Sequence, residues 1–73
     1  MKIYILHETH SLCDYNDHEV FTTYEAAKKL FEQTKAELMQ WEQIVYCNED
    51  DEYYIQVDGD SIRLYITEHT INQ

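Results

Sequence analysis

The chain has 73 residues, 15 Asp and Glu against 5 Lys and Arg, and a formal net charge of −10. That is one domain, near the lower size at which a single core gives a comfortable stability margin. A field of this sign repels nucleic acid and anionic membranes and attracts basic protein surfaces, so direct binding to DNA, RNA or a membrane is not expected.

Hydrophobic residues make up 44% of the sequence, enough for a packed core rather than a disordered acidic tail. No apolar run approaches the ~20 residues that cross a bilayer. The opening MKIYIL turns polar at His7, too early for a secretory leader. The two cysteines, Cys13 and Cys47, are expected as reduced thiols in a cytoplasm.

Taken in chain order, Lys2 to about His7 reads as an opening strand, mostly apolar and rich in β-formers. SLCDYND reads as a loop, because Ser, Asp and Asn satisfy turn backbones with their side chains. Glu19, Val20 and Phe21 add a brief second strand. A helix is expected from about Thr23 to about Gln40. Thr22 and Glu25 have capping-box spacing and Phe21 stands as the outer member of a hydrophobic staple. Ala27, Leu30, Phe31, Thr34, Leu38 and Trp41 recur at helical steps, the stripe of a helix lying on something apolar.

Three strands follow, near Gln43 to Cys47, Tyr53 to Val57 and Ser61 to Thr67. NEDDE joins the first two and DGD the last two, with Gly59 free to take positive φ in a tight turn. Alternation sends Tyr53, Ile55, Val57, Ile62, Leu64 and Ile66 toward the helix, and Tyr54, Gln56, Arg63, Tyr65 and Thr67 to the other face. The expected fold is α+β, a two-layer sandwich of one helix on a mainly antiparallel sheet of four to five strands, in the order β(β)αβββ.

HETHSLCDYNDH gathers His7, His10, Cys13 and His18, residue types that bind zinc. The spacing argues against a site: His7 and His10, three apart on a strand, face opposite ways, and no second Cys-x2-Cys knuckle completes a tetrahedron. These four are the only metal candidates, and neither a metal nor any other cofactor is expected. Cys13 beside His10 or His18 resembles a nucleophile with its base, but one helix on one sheet offers little room for a water-excluding cleft, and no catalytic motif is present. The expectation is a non-enzyme. NEDDE and DGDS lack the calcium-loop pattern and are read as turn chemistry.

The charge distribution carries more. Glu42 to Asp60 holds seven acids and no Lys or Arg, and His7 to Ala27 holds five more, again without a base. Three of the five basic residues sit on the helix. Beside that acidity lie seven tyrosines, a residue favoured at interfaces for its large contact area at low entropic cost.

The base-free segments HETHSLCDYNDHEVFTTYEAA and EQIVYCNEDDEYYIQVDGD, the charge of −10 and the tyrosine-bearing sheet resemble, in composition, the small acidic proteins of bacteriophages and mobile elements that block host defence nucleases. That resemblance implies an inhibitor or modulator that acts in the host cytoplasm by occupying a basic nucleic-acid-binding groove of a host protein. On this reading Glu49, Asp50, Asp51, Glu52, Asp58 and Asp60 stand in for phosphates, and Tyr54 and Tyr65 supply the desolvated contact. The alternatives are a homodimer joined through the open sheet face or its edge strands, and a metal-binding accessory protein built on the opening stretch.

Overall fold

The computed structural model describes residues 1–12 and 15–72. Among them, five strands and one helix follow as β1 (Lys2–His10), β2 (Tyr15–Phe21), α1 (Tyr24–Leu38), β3 (Ile44–Asn48), β4 (Glu52–Val57) and β5 (Asp60–Thr70). All pairings are antiparallel. The α+β class stands, but the arrangement of strands is corrected: there are five, in the spatial order β2-β1-β5-β4-β3. The hairpin β1–β2 and the meander β3–β4–β5 are joined along β1 and β5, from Lys2↔Thr70 to His10↔Ile62. The last strand thus lies at the centre, beside the first.

Two element boundaries move for physical reasons. Tyr15, Asn16 and Asp17, read as loop, belong to β2, where they face His10, Thr9 and Glu8 of β1. The cross-strand ladder outweighs the weak β-propensity of Asn and Asp. Thr23, not Thr22, caps the helix: its backbone is extended (φ −130°, ψ 148°) and its hydroxyl accepts the Ala26 N–H at 3.3 Å. Glu25 lies in the first turn, where a negative charge favours the positive end of the helix dipole.

The helix ends at Leu38, so Trp41 falls outside its stripe and is 64% exposed. Val57 and Asp60 bracket a two-residue turn in which Asp58 (φ 49°) and Gly59 (φ 82°) both take positive φ. This is the geometry that closes a hairpin with the sheet's own twist.

The core forms as the alternation predicts. Leu6, Phe31, Tyr53, Ile55, Ile62 and Leu64 form one buried cluster, with Phe21, Leu30, Leu38, Val57 and Ile66 packed around it. Each fully buried aliphatic side chain contributes roughly 1.5–3 kcal/mol. With a single helix, only one face of the sheet is covered. No helix of the described residues is long and apolar enough to cross a membrane.

A candidate protein-docking surface

The acidic residues singled out from sequence occupy the two ends of β4 rather than one patch. Glu49, Asp50 and Asp51 precede its first residue, and Asp58 and Asp60 follow its last. Six residues at about 3.3 Å each separate the groups by roughly 20 Å. At the first end, Glu49, Asp50, Asp51 and Glu52 line a hollow of about 620 Å³ together with Arg63, Tyr65 and Ile66. Arg63 holds Glu52 through Nε at 2.6 Å and Nη2 at 2.5 Å. Asp51 turns toward the helix, where it accepts the Tyr24 hydroxyl and lies 4.0 Å from Lys28 Nζ. That hydrogen bond, with lesser help from burial, pushes the Tyr24 phenol up to about 12. Glu49 and Asp50 are exposed and make no ion pair among the described residues.

At the other end Asp58 is exposed, whereas Asp60 is tied into the sheet's end. One Asp60 oxygen accepts the Leu12 N–H at 2.9 Å and the Ser11 hydroxyl at 3.2 Å, and the other meets His10 Nδ1 at 3.1 Å. His10 Nε2 meets Glu8 at 2.7 Å, so the imidazole sits between two carboxylates. Burial alone would lower its pKa, but the bonds to Glu8 and Asp60 outweigh that and raise it above the ordinary 6.5. Asp60 is held below its usual range chiefly by the Leu12 N–H, which burial opposes and which His10 and Ser11 reinforce. Asp60 is therefore committed to a clasp within the fold, and Asp58 is the acid at this end that remains open.

Tyr54 and Tyr65 do lie on the uncovered face, since their neighbours Tyr53 and Leu64 are buried beneath the helix. Neither stands alone. The His7 ring stacks on Tyr65 at 4.4 Å and 7°, and the Arg63 guanidinium lies 4.5 Å from the same ring. Tyr54 packs against Tyr46 at 5.1 Å, and the Tyr46 hydroxyl donates to Gln56. Tyr46 and Arg63 were not counted as site residues from sequence. The pairing Tyr54↔Arg63, two positions from Glu52↔Tyr65, is what brings the charge and the rings together, and the two-residue Asp58–Gly59 turn fixes that register, since both pairs belong to the ladder that starts at Val57↔Asp60.

The three metal candidates among the described residues do not converge. His7 and His18 face each other across β1 and β2 with ring centroids 6.4 Å apart on the open face. His10 projects from the opposite face, toward Ile62 and Asp60. Cys13 lies outside the described residues. His7 instead bonds Thr67 Oγ1 at 2.9 Å, which in turn meets His69 Nε2 at 2.9 Å. Burial, reinforced by His18 and His69, keeps the His7 imidazole below its ordinary pKa.

One combination was missed: Cys47, Glu49 and Glu52 bring potential ligand atoms within 4.8 Å of one another. Arg63 already occupies Glu52, and burial together with both carboxylates pushes the Cys47 thiol up, away from the thiolate a metal needs.

The other feature not anticipated is β3. It is an edge strand whose Ile44, Val45 and Tyr46 are 60%, 50% and 54% exposed. A usable signal was present, the uncharged run QIVYCN between Glu42 and Glu49. Comparison with protein-family models, with curated proteins and with solved structures finds no match to this chain.

Proposed function

We propose that the chain is a non-enzymatic acidic binding protein that docks on a basic surface of another protein, such as the nucleic-acid groove of a nuclease, and thereby inhibits or modulates it. The observation that carries this reading is the imbalance left after internal pairing. Lys2, Lys28 and Arg63 are already engaged with Glu68, Glu32, Asp51 and Glu52, which leaves two cations, Lys29 and Lys35, without an acidic partner among the described residues, Lys35 being bonded to the neutral Asn48 side chain. Among the described residues Asp17, Glu19, Glu25, Glu37, Glu42, Glu49, Asp50 and Asp58 have no cationic partner. Such charge steers association with a basic body and rejects acidic ones. Four of these acids, Glu42 with Asp58 at one end of the β3–β4 hairpin and Glu49 with Asp50 at the other, lie about 20 Å apart, so a partner that uses them meets them at two places.

The test is capture from the native host's lysate on immobilised protein, washed at low and high salt, followed by competition with DNA or RNA. A nucleic-acid-handling protein that is retained at low salt, released at high salt and displaced by its own nucleic acid supports the reading. Affinity that is flat from 0.05 to 1 M salt rules it out, because screening shortens the range of charge from about 14 Å to about 3 Å over that span.

A second reading is favoured by one observation. Glu52 is the single carboxylate among the described strand positions of the open face, and it is paired with Arg63, while His7, His18, Tyr54, Tyr65 and Ile5 share that face. An acid-poor face on so acidic a chain suits self-association, and a dimer in sedimentation that buries Tyr54 and Tyr65 would establish it.

A further inference from the structure

We infer that the partner is engaged by strand addition: an extended segment with Lys or Arg at both ends lies along the free edge of β3 and continues the sheet. The inference rests on the basic-partner reading above and adds how that partner is held.

β3 ends the sheet order, with β4 as its one neighbour, so alternate backbone N–H and C=O groups along it point away from the sheet. Proteins usually blunt such an edge with lysine, proline, inward-pointing charge, a bulge or a short strand. The five residues IVYCN carry no lysine, proline or charge, and the protection they have is the bulge at Tyr46 and their shortness. The opposite edge, β2, is protected by Asp17 and Glu19 and exposes one large aliphatic residue, Val20.

Charge sets the character of the occupant. One end of β3 is bracketed by Glu42 and Asp58, which share a hollow with Ile44, and the other by Glu49 and Asp50. Between them lie six uncharged residues, five of which form β3, about 17 Å of strand. A segment of five alternating β-branched residues would fill that length with its backbone bonded to the edge. Its flanking cations would then fall on the acids.

A second copy of this chain fits poorly. Both ends of the edge are acidic, so an antiparallel pairing centred on Tyr46 sets Glu42 against Asp50, and a parallel one sets like against like. β3 also carries a register shift between Val45 and Cys47, which leaves Tyr46 as an extra residue. Two copies of the same bulge oppose regular self-pairing, whereas an unstructured peptide can follow it.

The experiment uses the full chain and two synthetic peptides, each with two lysines at either end, one with the centre Thr-Val-Thr-Val-Thr and one with Gly-Ser-Gly-Ser-Gly. Binding is followed by amide chemical shifts and hydrogen exchange. The expected result is at least tenfold tighter binding of the Thr-Val peptide, with exchange slowed at β3 amides and affinity lost at high salt. Val45→Lys should weaken binding at least tenfold, and Val20→Lys on the far edge should leave it unchanged. Both variants are at exposed positions, and unaltered shifts of Leu64 and Phe31 verify their folding.

Equal binding of the two peptides, confined to the acidic ends, overturns strand addition while leaving the basic-partner reading in place. Failure of both peptides at millimolar concentration counts against both. A dimer in sedimentation without peptide, protecting the β3 amides, overturns the inference in favour of self-pairing.

Discussion

Gln43 links three parts of the fold, and its removal tests whether that link acts as a unit. Its Nε2 donates to the Leu38 carbonyl at 2.9 Å and the Trp41 carbonyl at 3.1 Å, closing the end of α1, while its Oε1 accepts the hydroxyl of Tyr53. Tyr53 is 1% exposed, so its hydroxyl has little access to water once Gln43 is gone. A hydrogen bond contributes about 1 kcal/mol net, and a buried donor left without a partner costs about 1–3 kcal/mol. Gln43→Ala should therefore destabilise by roughly 2.5 kcal/mol, since the Trp41 bond is exposed and adds little. Tyr53→Phe removes the hydroxyl itself and leaves Gln43, half-exposed, to bond water, a loss of about 1 kcal/mol.

In the double variant no orphan hydroxyl remains and only the bonds to Leu38 and between Gln43 and Tyr53 are lost, at about 1 kcal/mol each, so the total should be about 2 rather than about 3.5 kcal/mol, a coupling of about 1.5 kcal/mol. Urea unfolding of the four proteins measures this, and thermal midpoints should fall by about 4–8 °C per kcal/mol. Strict additivity of the two single variants would refute the shared hydrogen-bond unit.

Phe31 is fully buried beneath the helix, and Phe31→Ala should cost about 3–5 kcal/mol. That is a large share of the roughly 4–11 kcal/mol available to a chain of this size, so circular dichroism should show a thermal midpoint lowered by at least about 12 °C. The clasp at His10 has a two-sided pH dependence. His10 has a raised pKa, so its contribution is complete below 6.5 and is lost as pH rises through the folded value. Asp60 has a depressed pKa, so its contribution is present above 3.8 and is lost as pH falls through the folded value. Thermal midpoints should be more pH-dependent in the native chain than in His10→Gln, with the difference shrinking above the His10 titration seen by NMR. Against a basic partner, Asp50→Lys should weaken low-salt binding more than Glu32→Lys, because Glu32 is already paired with Lys28 at 3.1 Å; equal losses would mean that only net charge matters.

The helix, the buried faces of β4 and β5, and the Asp58–Gly59 turn were legible because each is written in short-range pattern: the stripe through Ala27 and Phe31, the alternation of Tyr53 with Ile55 and of Ile62 with Leu64, and an Asp-Gly pair. The concentration of acids outside the helix was equally plain. Pairing between distant segments leaves no such mark. That Asn16 and Asp17 lie in a strand and that His7 and His18 share a face from which His10 is excluded follow from the length of the β1–β2 ladder, and that β5 is central and β3 an edge follows from one long-range match, Lys2↔Thr70 through His10↔Ile62.

The candidate site divides the same way. The sequence by itself determined an excess of carboxylate that a core of this size has to place at its surface. Tertiary structure decided which carboxylates are used up, because Asp60 meets His10 only after β1 and β5, far apart in sequence, pair, and Glu52 meets Arg63 across the β4–β5 hairpin. It thereby left Glu42, Asp58, Glu49 and Asp50 around an uncharged edge, since hydrogen-bonding register, not composition, sets which side chains become neighbours.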